Sequence, residues 1–196
     1  MLLQQLSDAR GLSGNEGAVR DILREATREL ADEQRVDALG NLICLRRARR
    51  PGNGFPRSVM LAAHMDEVGL MVTGINGDGT LRFAEVGGID ERILLSKRVL
   101  VGEKAVPGVI GYRPIHLIPR EEREKAPDVS RAAIDIGATN QAGAERLVKL
   151  GDYVSFDTAF EVLGDGADGG GLRPVKGKAL DDRAGCAVLA ELLAGD

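Results

Sequence analysis

The stretch Ser58-Val59-Met60-Leu61-Ala62-Ala63-His64-Met65-Asp66-Glu67 carries an apolar run that gives way abruptly to His64, Asp66 and Glu67. Ser58 to Ala63 is too short for an ordinary helix, and an unbroken apolar run of this length predicts a strand buried on both faces. Open sheets covered by helices place their ligands just beyond the ends of such strands. In extended backbone, residues i and i+2 project to one side, so the His64 imidazole and the Asp66 carboxylate should converge. That pairing suits Zn²⁺, Co²⁺ or Mn²⁺, with one group ligating and the other orienting it. Spacing alone leaves a plain surface turn open as the alternative.

Upstream, Leu2 to Arg10 reads as a short helix closed by Gly11. Ser13 and Glu16 have the spacing of a capping box. Ala18, Val19, Ile22, Leu23, Ala26 and Leu30 follow at helical intervals, predicting a helix to about Ala31. A turn at Gly40-Asn41 then leads into the strand Leu42 to Leu45.

Downstream, the texture changes. Asn76-Gly77-Asp78-Gly79 is a hairpin turn, and short Val, Ile and Leu runs follow between glycines. The best helix candidate there is Asn140 to Leu150. A β-rich domain over residues 71–172 is therefore expected, inserted into a partial α/β domain formed by residues 1–70 and 173–196. Gly164 to Gly171 reads as a flexible exit loop. After it, Asp181 and Asp182 stand at a helix start, and Ala187, Val188, Leu189, Leu192 and Leu193 share one helical face.

Acidic residues favour helix N-termini for capping and dipole reasons alone. If the insertion leaves and re-enters at neighbouring points, however, Asp181 is brought to His64. It could then bridge two ions roughly 3.5–4 Å apart. Glu67 and Glu85 have ligand chemistry, but their spacing does not single them out.

Composition narrows the classes. The net charge of −4 has mixed signs and gives no reason to expect nucleic acid. The basic run Arg46, Arg47, Arg49 and Arg50, before Pro51 to Gly54, reads as a solvated strand end and loop. With aromatics at 3% and no Trp, any core must be aliphatic. Cys44 and Cys186 lack metal-type spacing, and a reduced, cytoplasmic compartment is expected. The N-terminus reads as neither a signal peptide nor a membrane span, and no apolar run approaches the roughly 20 residues that cross a bilayer.

Five motifs occur in an order that resembles a known family: Ser13-Gly14-Asn15-Glu16, Asp37 with Gly40-Asn41, Ala63 to Gly69, Ile134 to Ala138, and Lys178 to Cys186. The resemblance is to the glutamyl and deblocking aminopeptidases that build hollow tetrahedral (TET) particles, some of whose relatives are labelled cellulase or endoglucanase. It covers essentially the whole chain. It implies an α/β fold, namely an incomplete zinc-aminopeptidase-like catalytic domain with an inserted barrel-like dimerisation domain. By the same resemblance His64 ligates one metal, Asp181 bridges two, and Asp66 serves catalysis by orienting His64. Asp182 and Glu67 are candidate supporting groups, and His116 is read as structural. The implied chemistry uses two divalent ions, Zn²⁺ or Co²⁺, to activate water that removes N-terminal residues from short peptides. The implied assembly is a homo-oligomer, a dodecamer in the complete enzymes. The related carboxypeptidases and deacylases share the His-x-Asp start, but their companion domain follows the bridging aspartate.

The family also uses a Glu-Glu pair, a further acidic ligand and a late histidine, none of which has a counterpart before Asp196. The expectation is an N-terminal portion with weak or no metal binding and no activity alone. Val59, Leu61, Leu189 and Leu193 would then lack packing partners. A non-catalytic oligomerisation module is the alternative. Glycoside hydrolysis needs two carboxylates flanking a sugar, and no pair suggests that arrangement.

Overall fold

The structure is a computed structural model in which residues 1–48, 58–112, 129–164 and 173–195 are described. Arg49, Arg50, Pro51 to Gly54, His116, the glycine-rich stretch beyond Gly164 and Asp196 lie outside the described residues. The chain forms two compact units, one of Met1–Glu67 with Ala159–Asp196 and the other of Val68–Thr158.

In the first unit, α1 (Leu2–Asp8) and α2 (Gly17–Ala26) precede the antiparallel hairpin β1 (Glu33–Val36) and β2 (Leu42–Leu45). Gly40 takes φ +87° in the hairpin turn, a conformation that disfavours a side chain. Asp37 fixes that turn by accepting from the backbone amides of Leu39 and Asn41. Helix α2 ends short of the expected Ala31, where the Thr27 hydroxyl donates to the Leu23 carbonyl. The capping box does not form either: the helix is capped at Glu16 without a side-chain bond, and Ser13 turns to Asp66 instead.

The main departure concerns Ser58 to Ala63, which has no strand structure. Val59 is 83% exposed and Met60 91%. A buried strand requires neighbours for its backbone N–H and C=O groups. Among the described residues the segment's only bridge comes later, at Glu67, which pairs with Leu12. The two-residue alternation nevertheless appears at the end of the run. Ala63 and Met65 pack toward the core of Leu6, Val19, Leu23 and Cys186, while His64 is exposed.

The second unit is a closed six-stranded barrel. Its strands are β3 (Gly69–Ile75), β4 (Leu81–Val86), β5 (Arg98–Val101), β6 (Val106–Gly111), β7 (Ala133–Asp135) and β8 (Tyr153–Phe156). They run in the order β3-β4-β7-β6-β5-β8, and β8 returns to pair with β3. Alternate residues fill the interior with Leu70, Val72, Leu81, Val99, Val101, Ile110, Ile134 and Val154. The Asn76–Gly79 turn forms as expected, with Gly79 at φ +90° and no room for a Cβ against the Ala138 carbonyl. The candidate helix at 140–150 shortens to α3 (Gln141–Glu145), capped by the Asn140 side chain.

The chain then returns to the first unit through the two-residue pair β9 (Glu161–Val162) and β10 (Val175–Lys176) and ends in α4 (Leu180–Ala194). The buried face of α4 is Arg183, Cys186 and Ala190, whereas Val188 and Leu192 are exposed. The aliphatic face expected at Val188 and Leu192 is thus not the packed one. Cys186 and Ala187 are the α4 residues that pack with Leu6, Val19 and Leu23 of α1 and α2.

Candidate functional site

The His64 segment and the start of α4 meet within the first unit. His64 Nδ1 lies 2.9 Å from Asp66 Oδ1, and His64 Nε2 lies 3.2 Å from Asp181 Oδ1. The Ser13 hydroxyl donates to the other Asp66 oxygen. Asp66 is therefore held from both ends and fixes the plane of the imidazole, leaving Nε2 aimed at Asp181. The Ser13 hydrogen bond and the His64 charge hold the Asp66 carboxyl below its ordinary value. Burial pushes the His64 imidazole down, but hydrogen bonds and charge from Asp181 and Asp66 outweigh it, and the net direction is up.

Asp181 and Asp182 depart from helical backbone angles although they lie at the start of α4, and the peptide between them is cis. Asp182 accepts from the Gly185 amide at 3.1 Å, the bond of a helix N-cap. A Cβ at Gly185 would sit 2.3 Å from Asp182 Oδ1, so glycine is what permits this cap. Asp182 thus serves the helix end, while the Asp181 side chain is 96% exposed.

Glu67, next to Asp66, faces the interior. Lys178 Nζ stands 2.8 Å from each of its carboxylate oxygens. Arg183 reaches Glu67 Oε1 at 3.4 Å, the Met65 carbonyl at 3.0 Å and the Leu6 carbonyl at 2.8 Å. Burial pushes the Lys178 and Arg183 groups down, opposed by the charge of Glu67. Lys178, Arg183 and Ser13 were not singled out as functional from the sequence. All three lie in motifs that carry the family resemblance, and for Ser13 a helix cap explains the spacing equally well. Glu85 belongs to the barrel unit and joins none of these contacts.

The donor set can be compared with a metal's needs. Two donors on one tetrahedral ion at about 2.0 Å each sit roughly 3.3 Å apart, close to the His64–Asp181 separation. An imidazole nitrogen oriented by a carboxylate, beside a second carboxylate, is chemistry that fits a divalent ion. Among the described residues, no group of three or more His, Cys, Asp or Glu side chains converges as a metal cage. The pair offers two donors, fewer than the four of a tetrahedral site.

Several solved structures are similar to this chain over nearly its whole length. A TET aminopeptidase from the marine sediment archaeon Thaumarchaeota archaeon SCGC AB-539-E09 has a structure similar to this chain, with a TM-score of 0.87 and 38% identity. The similarity covers 98% of this chain and 52% of that one. A Thermotoga maritima protein described as an endoglucanase is 40% identical with a TM-score of 0.79, over 98% of this chain and 53% of its own. The TET1 peptidase of Pyrococcus horikoshii, described as able to assemble into a tetrahedron or a large octahedral shell, is 36% identical. Its TM-score is 0.79, covering 99% of this chain and 55% of its own. The chain spans about half the length of the curated aminopeptidase relatives it matches. The model of one family matches residues 40–195, four-fifths of the chain. This chain belongs to the M42 glutamyl aminopeptidase family.

Proposed function

We propose that this chain contributes His64 and Asp181 to the divalent-metal centre of an aminopeptidase that removes N-terminal residues from short peptides. The observation that carries the reading is the 3.2 Å approach of His64 Nε2 to Asp181 Oδ1, with the opposite ring nitrogen tied to Asp66. Family membership supports it. A divalent ion there, Zn²⁺ or Co²⁺, would supply Lewis acidity toward a peptide carbonyl and its attacking water. Asp66 orients the imidazole and Ser13 steadies Asp66. Asp182 caps the helix whose start presents Asp181. With two donors among the described residues, this chain is expected to hold an ion weakly and to hydrolyse peptides slowly or not at all unaided.

Calorimetric titration with Co²⁺ tests the reading, followed by addition of leucine hydroxamate or cellotriose. Saturable Co²⁺ uptake that falls about tenfold in His64→Ala and in Asp181→Asn supports it, as does a ternary complex with the hydroxamate alone. An isotherm indifferent to both substitutions overturns the metal assignment. Binding of cellotriose in place of the hydroxamate overturns the peptide assignment in favour of a sugar.

A second reading concerns assembly. The six-stranded barrel closes on itself within residues 68–158. The P. horikoshii relative is described as forming shells. We propose that the barrel is the oligomerisation domain of this chain. Sedimentation should show association that grows with concentration, and a monomer at every concentration contradicts it.

A further inference from the structure

Lys178 comes three residues before Asp181, Arg183 two after it, and Glu67 directly follows Asp66. Their side chains are buried together, with exposures of 8%, 0% and 4%. We infer that the Glu67–Lys178–Arg183 cluster is a positioning device that sets the separation of His64 from Asp181. The inference rests on the metal-site reading for its purpose, and its geometry stands independently.

Two cations around one carboxylate are a poor source of stability. Such charges lose hydration on burial, and apolar groups of similar volume often serve as well or better. What the ions provide is direction. The Arg183 fork donates to the carbonyls of Leu6, Ala9 and Gly11 while Nε donates to that of Met65. Met65 is the residue between His64 and Asp66, so its carbonyl bond fixes the backbone that carries both. Lys178 bridges the Glu67 carboxylate and the Ala9 carbonyl. Glu67 Oε1 in turn accepts from the Gly11 amide at 3.0 Å, and the Glu67 amide donates to the Gly11 carbonyl at 2.9 Å.

Three segments, 6–11, 64–67 and 178–183, are thereby tied to one another by charge-assisted hydrogen bonds, which are shorter and more directional than neutral ones. At the surface, Asp66 and Ser13 orient the His64 ring but do not reach the Asp181 backbone among the described residues. His64 is 56% exposed and Asp181 almost wholly so. Their spacing is set from the backbone beneath, and that backbone is set by the cluster.

The test compares the wild-type chain with Glu67→Gln/Lys178→Met, which removes both charges at similar volume, and with Arg183→Lys, which keeps the charge and loses the fork. Thermal melting identifies the temperatures at which each is folded. Under those conditions two readouts are taken: nuclear Overhauser contacts between the His64 ring and Asp181, and the Mn²⁺ concentration that halves the His64 imidazole signal relative to the chain's other histidine. The inference predicts loss of the ring contacts and a rise of about tenfold or more in the Mn²⁺ needed, in folded protein. Folded variants with wild-type contacts and wild-type Mn²⁺ response overturn it, since a merely structural cluster would leave both unchanged. If the wild type shows no selective Mn²⁺ response but the ring contacts respond to the substitutions, the metal-site reading fails and the positioning role stands.

Discussion

His64 Nε2 meets Asp181 Oδ1 at 3.2 Å across 117 residues of chain. The barrel unit lies between them in sequence, and both ends return to the same compact unit. The contact unites a histidine whose other nitrogen is committed to Asp66 with a carboxylate presented at a capped helix start.

The His64 imidazole should titrate above its ordinary value, because Asp181 and Asp66 favour its charged form more than burial opposes it. A raised folded value means that the stabilising contribution is fully present below the unfolded value and is lost as pH rises through the folded one. Metal binding runs the opposite way, since a protonated imidazole cannot ligate. Imidazole shifts followed against pH should therefore show His64 titrating higher in the wild type than in Asp181→Asn. Identical curves would contradict the ion pair.

Lys178→Ala should destabilise the first unit by about 3–5 kcal/mol, because it leaves the Glu67 carboxylate without its closest cation. Glu67→Gln/Lys178→Met should cost far less. Urea denaturation of both variants reads the difference, and equal losses would show that packing rather than charge pairing matters here.

Ser13→Ala removes an exposed hydroxyl, so its effect on stability should stay within about 0.5 kcal/mol. It also frees one oxygen of Asp66. Metal affinity should fall by about tenfold, the lower end of what outer hydrogen-bond partners contribute. An unchanged affinity would remove Ser13 from the site.

Cys186 is buried, donates to the His64 carbonyl, and has its thiol pushed up to about 11, chiefly by burial. At pH 8 an alkylating reagent should spare it in folded protein and modify the partly exposed Cys44 first. Mass spectrometry of the digested product distinguishes the two. Rapid labelling of Cys186 would mean that α4 opens readily.

Much of this was legible in the sequence. Pairing of His64 with Asp66 followed from the two-residue period, which survives where Ala63 and Met65 pack inward. The texture after Val68 announced a β-rich domain, because hairpin turns such as Asn76–Gly79 have strong local chemistry, while its barrel-like closure was implied by the family resemblance. What failed was long-range. An apolar run at Ser58–Ala63 says that burial is favoured, but not whether neighbouring strands stand beside it. The α4 face was misread because Arg183, a charged residue, is wholly buried there, which hydrophobic periodicity cannot reveal. Ser13 looked like a cap because its spacing from Glu16 is a local signal, whereas its bond to Asp66 spans 53 residues.

We propose that His64 and Asp181 share a divalent ion. This sharing is tested most directly by a long-range proton–nitrogen spectrum of the imidazoles during Zn²⁺ titration near neutral pH. With two histidines in the chain, both ring systems can be followed separately. The account predicts that His64 Nε2 loses its proton signal and shifts while the other histidine stays put, with the required Zn²⁺ rising about tenfold in Asp181→Asn. A His64 ring indifferent to Zn²⁺, or two histidines responding alike, would contradict it.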